Sequence, residues 1–357
     1  MKHVLGSLAP LALAGLLAGC STVQTSHDST TAEAESRSSG FMNLVTNDDI
    51  EVKNAKAFAG IQDVVIGGFK VGFNESKTVT GSSRLVGGRT TGEMKLEGID
   101  GATLQRITDQ AYEDFVNRLE ASGYRILPRE TFTSHPLYAK LSEHDFPFRD
   151  DNSSLFSSYG VGNYYIPTTM GSKQVFFPDE VPQSKSSDLS AMFKSTPGQG
   201  LSAIGLTGTL QEFSEKTKVP LINVTYLVDF AAGSSAGFSM QQLKLGQLMS
   251  VDYGVLGLTT GYGGTFSSNN GKLALGQPVP SDKPFATMED ETSTGSQVAE
   301  GAFNLLFKGG ILGAAGVGGD HTRTYVFRTE PEKFAAAALD VLDKTNELMV
   351  SKLAQLH

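Results

Sequence analysis

Between residues 63 and 127 a β-branched run, an amphipathic stretch and a second short apolar run follow one another in an order few folds accept. Asp63–Phe69, DVVIGGF, reads as a buried strand that stops at its paired glycines. From Thr103 to Gly123, residues Leu104, Ile107, Ala111, Phe115 and Leu119 recur at spacings of three and four. That makes one helix face apolar, with Gly123 as the stop. Tyr124–Leu127, YRIL, follows directly as a second strand. Strand, helix, strand is a βαβ unit, which demands a parallel strand pair and a right-handed crossover.

The second half repeats the logic. Leu201–Lys216 has a helical pattern through Leu201, Ile204, Leu210 and Phe213, weakened by Gly205 and Gly208. Pro220–Phe230, PLINVTYLVDF, is the strongest strand in the chain. Leu248–Thr260 and Lys272–Val279 flank SSNNG, where Asn270–Gly271 is a favoured hairpin turn. Thr324–Arg328 reads as one more strand. A final helix opens at Thr329-Glu330-Pro331-Glu332, a capping box with Pro in the first turn. Its apolar positions Phe334, Ala338, Val341, Leu342, Thr345, Leu348, Met349, Leu353 and Leu356 must cover a sheet or a partner. The fold class is therefore α/β, a mixed β-sheet with packed helices and a long C-terminal helix. Pro128–Gly200 carries DDNSS, PDEVPQSKSSD and STPGQG between short aromatic runs and reads as a long insertion with little regular structure.

The order DVVIGGF, helix, SGYRILPRE, helix, VPLINVTYLVDF, hairpin and C-terminal helix resembles the curli-secretion lipoprotein (CsgG-like) group and the related TolB amino-terminal and LpoB-type domains. Gly123, Tyr124, Arg125, Ile126, Leu127, Arg129 and Glu130 fit the segment that follows the first helix in those families. The resemblance covers about Ile61–Glu130 and Leu201–His357, and the insertion at 128–200 has no counterpart in it. It implies an outer-membrane lipoprotein that assembles with copies of itself or with other envelope proteins, without catalysis and without a cofactor.

The amino terminus points the same way. Lys2 precedes Val4–Leu17, an apolar run interrupted only by Ser7 and Pro10. It is shorter than the roughly 20 residues that span a bilayer and suits the core of a secretory signal. Leu17-Ala18-Gly19-Cys20 resembles the lipobox of bacterial lipoproteins, which implies cleavage after residue 19 and acylation of Cys20, the only cysteine in 357 residues. Ser21 in place of Asp implies onward export to the outer membrane, facing the periplasm. Residues 1–19 are thus expected to be a signal peptide, 20–40 a lipidated flexible tether reaching about 25 Å, and 41–357 a periplasmic body.

Composition sets the remaining bounds. With 39% apolar residues the chain can bury a sizeable core, and its length allows one large or two ordinary domains. A net charge of -9 excludes a nucleic-acid footprint. Pore formation needs amphipathic strands of about 9 to 11 residues. Lys70–Ile99 is long enough for such a hairpin, but Glu75 and Lys77 make a lipid-facing strand costly there. Gly301–Gly319 is small and apolar, yet Lys308 and its glycines argue for a short helix over Val298–Phe307 and a loop, not a span.

One enzymatic signal competes. Gly233-Ser234-Ser235-Ala236-Gly237 satisfies G-x-S-x-G after the strongest strand and before Phe238–Met249, a segment that could be helical, which is the setting of a nucleophile elbow. A triad of Ser235, Asp290 and His321 would make a lipid-anchored serine hydrolase. Metal chemistry has less support: outside the signal and tether, histidines stand at 135, 144, 321 and 357 without ligand spacing. His135, His144 and Asp145 could converge within the insertion but read as exposed loop residues. Asp48-Asp49, Asp150-Asp151 and Glu289-Asp290-Glu291 read as solvated turns.

Overall fold

Asp63 begins a strand that does not stop at the paired glycines: it runs 20 residues, to Ser82. The computed structural model describes residues 22–26, 49–82, 89–150, 160–178, 180, 200–236, 242–261, 270–292 and 321–357. In chain order the strands are β1 (Thr22–Ser26), β2 (Ile50–Lys53), β3 (Asp63–Ser82), β4 (Arg89–Glu97), β5 (Arg125–Ile126), β6 (Glu143–Asp145), β7 (Phe148–Asp150), β8 (Val161–Tyr165), β9 (Lys173–Val175), β10 (Leu221–Ala236), β11 (Gln242–Thr259), β12 (Gly271–Leu275), β13 (Val279–Pro280), β14 (Ala286–Asp290) and β15 (His321–Thr329). The helices are α1 (Gly101–Ala121), α2 (Glu130–Thr133), α3 (Gly200–Thr217) and α4 (Pro331–Leu356).

Thirteen of these strands form one mixed sheet whose main path is β14-β15-β4-β3-β10-β11-β12-β2. The βαβ unit is present, with β3 parallel to β5 through Asp63 and Arg125. β10 then lies parallel to β3 on the other side and turns back as β11. The Asn270–Gly271 pair is not a two-residue turn. Gly271 already sits in β12 opposite Leu258, and Asn270 accepts a hydrogen bond from the Thr260 amide.

The paired glycines form a bulge. Ile222 faces Ile66 but Asn223 faces Gly68, so Gly67 is an extra residue on β3. Val65 and Lys70 consequently share one sheet face while Ile66, Phe69, Val71 and Phe73 share the other. The second of these faces is covered by α1 and α4. Leu104, Ile107, Ala111, Phe115 and Leu119 of α1 are all buried, as the spacing requires, and pack in one cluster with Val341, Leu342, Met349 and Leu353 of α4. Asn346, buried on α4, donates hydrogen bonds to the Ala111 carbonyl and to Asp114, both at 2.9 Å, and so fixes the two helices against each other. The expected capping box on α4 does not form. Thr329 ends β15 and spends its hydroxyl on the Phe285 carbonyl, and Glu330 at the cap position makes no capping bond to the helix backbone, its carboxylate accepting from Lys333 at 2.9 Å.

The other face is covered by the insertion, which has more regular structure than its composition indicates. β8 pairs antiparallel with β3, from Val71 opposite Tyr165 onward. Phe132, Phe177, Leu210 and Phe213 bury against Val65 and Leu221, and Tyr164 packs with Phe176 and Leu227. Gly67 and Gly68 make room for this layer, since a Cβ on either would come within 3 Å of the Phe177 ring. Short polar runs hid a second core because its aromatic residues come from segments far apart in sequence.

Candidate functional site

Two long hairpins, β3–β4 and β10–β11, share one end of the sheet. β10 pairs with β3 only as far as Val228 opposite Phe73, and β10 carries register shifts at Leu227/Val228 and Asp229/Ala231 against β11. Beyond that point the two strands no longer pair. Lys77 of β3 spans the junction: its ammonium donates to Asp229 and to the Ala231 carbonyl, the latter at 2.9 Å, and lies 3.7 Å from Asp252. Asp229 is fully buried, and its carboxylate also accepts from the Phe230 amide at 2.8 Å. Burial pushes Asp229 up to about 6; the Asp252 charge adds to this and the Lys77 ammonium opposes it. For Lys77 burial acts downward, but the two carboxylates outweigh it and hold the ammonium protonated well above its ordinary range. Farther out, Val79 occupies the space a side chain at Gly233 would need, so the arms remain in contact.

The chain immediately after Cys20 joins this end. β1 lies parallel to β11, with Thr22 opposite Gln242 and Ser26 opposite Gly246. The first residues of the expected tether are therefore a strand, because an open ladder edge takes up a polar segment that has nothing else to bury. Cys20 and residues 27–48 lie outside the described residues.

A second cluster sits under the insertion. Lys70 on β3 and Glu180 are both fully buried, with Lys70 Nζ 2.9 Å from Glu180 Oε2. The Phe176 and Phe177 rings flank the ammonium at 5.4 and 5.3 Å, and Glu180 accepts the Phe177 amide at 2.7 Å. Burial lowers Lys70, with Arg129 adding to the effect and Glu180 opposing it, and burial raises Glu180 against the pull of Lys70. Neither group reaches solvent, so the pair clamps the insertion to the sheet and offers no exposed acid or base.

The nominated triad is spread over different strands. Ser235 lies within β10, opposite Leu243 of β11. The expected helix after it is β11 from Gln242, and the strand-to-helix turn of a nucleophile elbow is absent among the described residues. His321 begins β15 opposite Thr90, so β4 and β3 intervene between its strand and that of Ser235. Asp290, on β14 opposite Tyr325, accepts from the Thr292 amide at 2.9 Å and pairs with Arg323 at 3.7 Å. Its neighbours Glu289 and Glu291 are exposed as expected, but Glu289 and Asp290 belong to a strand, not a turn, and both glutamates, with Glu97, converge on Arg328.

The insertion residues do not converge either. His135 accepts the Leu137 amide and packs edge-on against Phe213, whereas His144 packs against Phe148 and Phe176. Asp145 pairs with Lys173 at 3.2 Å. His357 packs edge-on against Tyr124. Among the described residues no group of three or more His, Cys, Asp or Glu side chains is placed to hold a metal ion. No helix among them is long and apolar enough to cross a membrane. Asp48, Asp151 and the segment 293–320, including Gly301–Gly319, lie outside the described residues.

Sequence reasoning passed over Lys70, Glu180, Asp229 and Asp252. A readable signal existed for two of them: Lys70 stands between Phe69 and Val71, and Asp229 between Val228 and Phe230, so each is a charge inside an apolar strand that must find a partner. Comparison with protein-family models, with curated proteins and with solved structures returns no match.

Proposed function

We propose that this chain is an outer-membrane lipoprotein, anchored through Cys20 and facing the periplasm, whose α/β body assembles with copies of itself or scaffolds other envelope proteins without catalysing a reaction. The observation that carries this reading is the pairing of β1 on β11: the residues directly behind the lipobox cysteine are part of the sheet. Open strand edges support the assembly role. Among the described residues β3 beyond Ser76 pairs only with β4, and β10 beyond Val228 only with β11. Unpaired ladder edges are templates for another strand.

Expression in a lipoprotein-processing bacterium, detergent extraction and intact-mass measurement test the anchor; a mature chain starting at acylated Cys20 is the expected product. Electron microscopy and native mass spectrometry of the same material test assembly. Monomers with no crosslinked envelope partner would refute the assembly role. Esterase activity lost in Ser235→Ala would replace this reading with a hydrolase.

A further inference from the structure

The sheet narrows by one strand beside α4. β2 and β12 pair only as far as Ile50 opposite Leu275. The chain then steps inward and pairs as β13 directly with β11, Val279 opposite Val251. α4 passes this step without filling it, which leaves an open cleft of about 510 Å³ between the helix and the sheet rim. Clefts of that size hold small molecules and short peptides.

Ile50, Val279, Pro280 and Leu348 give the cleft its apolar lining. The helix wall is one stripe of α4, Lys344, Leu348, Ser351, Lys352 and Gln355, at spacings of three and four. That stripe covers about 16 Å at 1.5 Å per residue of helix, which is the length of about five extended residues.

Four ionisable side chains line the cleft, and two of them are already committed. Lys344 donates to Asp340 at 2.9 Å and to the Pro280 carbonyl at 3.3 Å. Glu347 faces Arg118 of α1 at 4.0 Å, at the end of the ion-pair row that joins α1 to α4. Among the described residues, Asp49 and Lys352 have no ion-pair partner. They stand on different walls, exposed Asp49 just before β2 and half-buried Lys352 on the helix. A free carboxylate and a free ammonium beside an apolar floor match a ligand that is zwitterionic at its ends and apolar between them. A fatty acid would satisfy Lys352 alone, and an alkylamine Asp49 alone.

We propose that this cleft binds a short apolar peptide by its free ends, the peptide carboxylate on Lys352 and its ammonium on Asp49, with an apolar side chain against Ile50, Val279 and Leu348. The site depends on neither the lipid anchor nor the assembly role, and it gives the body a recognition function of its own.

Titration of the full-length protein, kept free of detergent, with trileucine as the free peptide, N-acetylated and C-amidated tests this. The free peptide is expected to bind at millimolar concentration or below, and each blocked form about three- to tenfold more weakly. Asp49→Asn should remove the penalty of acetylation and keep that of amidation, and Lys352→Gln should do the reverse. Neither side chain is buried, so thermal unfolding of both variants should match the parent. Absence of binding, equal affinity for the three peptides, or penalties that survive both substitutions overturns the proposal. Dodecanoate or dodecylamine binding in preference to the peptide also overturns it and assigns the cleft to a single-headed amphiphile. Acylation of Cys20 and oligomeric state are read by separate measurements, so a failure here leaves those proposals as they stand.

Discussion

Lys77 on β3 is hydrogen-bonded to Asp229 on β10 at the place where those two strands stop pairing. The ion pair therefore replaces a ladder that has ended, with Asp252 as a third charge 3.7 Å from the ammonium.

Removing the cation alone should be costly. Lys77→Met leaves two neighbouring carboxylates without their counterion, one of them fully buried, and a loss of about 3–5 kcal/mol is expected. Denaturant unfolding checks this, and the double variant Lys77→Met/Asp229→Asn should recover a large part of the loss.

The same site gives a pH signature. Asp229 titrates at about 6 in the folded protein against an ordinary 3.8, so folding binds a proton there. Its contribution is fully present below about pH 4 and is lost as pH rises through 6, by about 3 kcal/mol in total. Lys77, shifted upward, keeps its contribution throughout that window. Chemical denaturation between pH 4 and 7 should show stability, relative to Asp229→Asn, falling as pH rises; a parallel pair of curves would contradict it.

Under the insertion, Glu180→Leu strands the Lys70 ammonium in an apolar layer. An expected loss of about 3–5 kcal/mol should accompany faster proteolytic cleavage between residues 128 and 178. Lys70→Met/Glu180→Leu should restore most of the resistance, because packed apolar groups can replace a buried pair.

Two glycine substitutions should have opposite signs. A Cβ at Gly68 would lie 2.8 Å from the Phe177 ring and 3.0 Å from Lys70 Nζ, so Gly68→Ala is expected to cost about 1–3 kcal/mol by overpacking. Gly205, in α3, has nothing within 4 Å of such a carbon, and Gly205→Ala should stabilise by up to about 1 kcal/mol. Thermal unfolding of both variants beside the parent decides.

Where a segment's own periodicity fixes what it buries, the sequence was informative. The five apolar positions of α1 and nearly all those of α4 are core residues, and the strand at 220–230 is the centre of the sheet. Where a neighbour decides, it was not. The continuation of β3 past Gly68 depends on β8 and β4 pairing with polar residues such as Asn74 and Thr78. Ser235 looked like a turn because Gly233 and Gly237 flank it, yet the antiparallel partner β11 keeps it extended. The charge clusters were hidden for a related reason: Lys70 meets Glu180, and Lys77 meets Asp229, across more than 100 residues.

The bulge at Gly67 also sets a reading frame for the strand. Every residue after it points to the side opposite to the one simple alternation would assign, so loss of Gly67 would return a regular ladder with Ile66 and Gly68 still opposite Ile222 and Asn223. One residue added between Gly68 and Phe69 would do the reverse: Phe69, Val71 and Phe73 would face the aromatic layer of the insertion, and Lys70 would be driven among the helices with no acid to meet it. A chain lengthened there by one residue would be harmed far more than one from which Gly67 is removed.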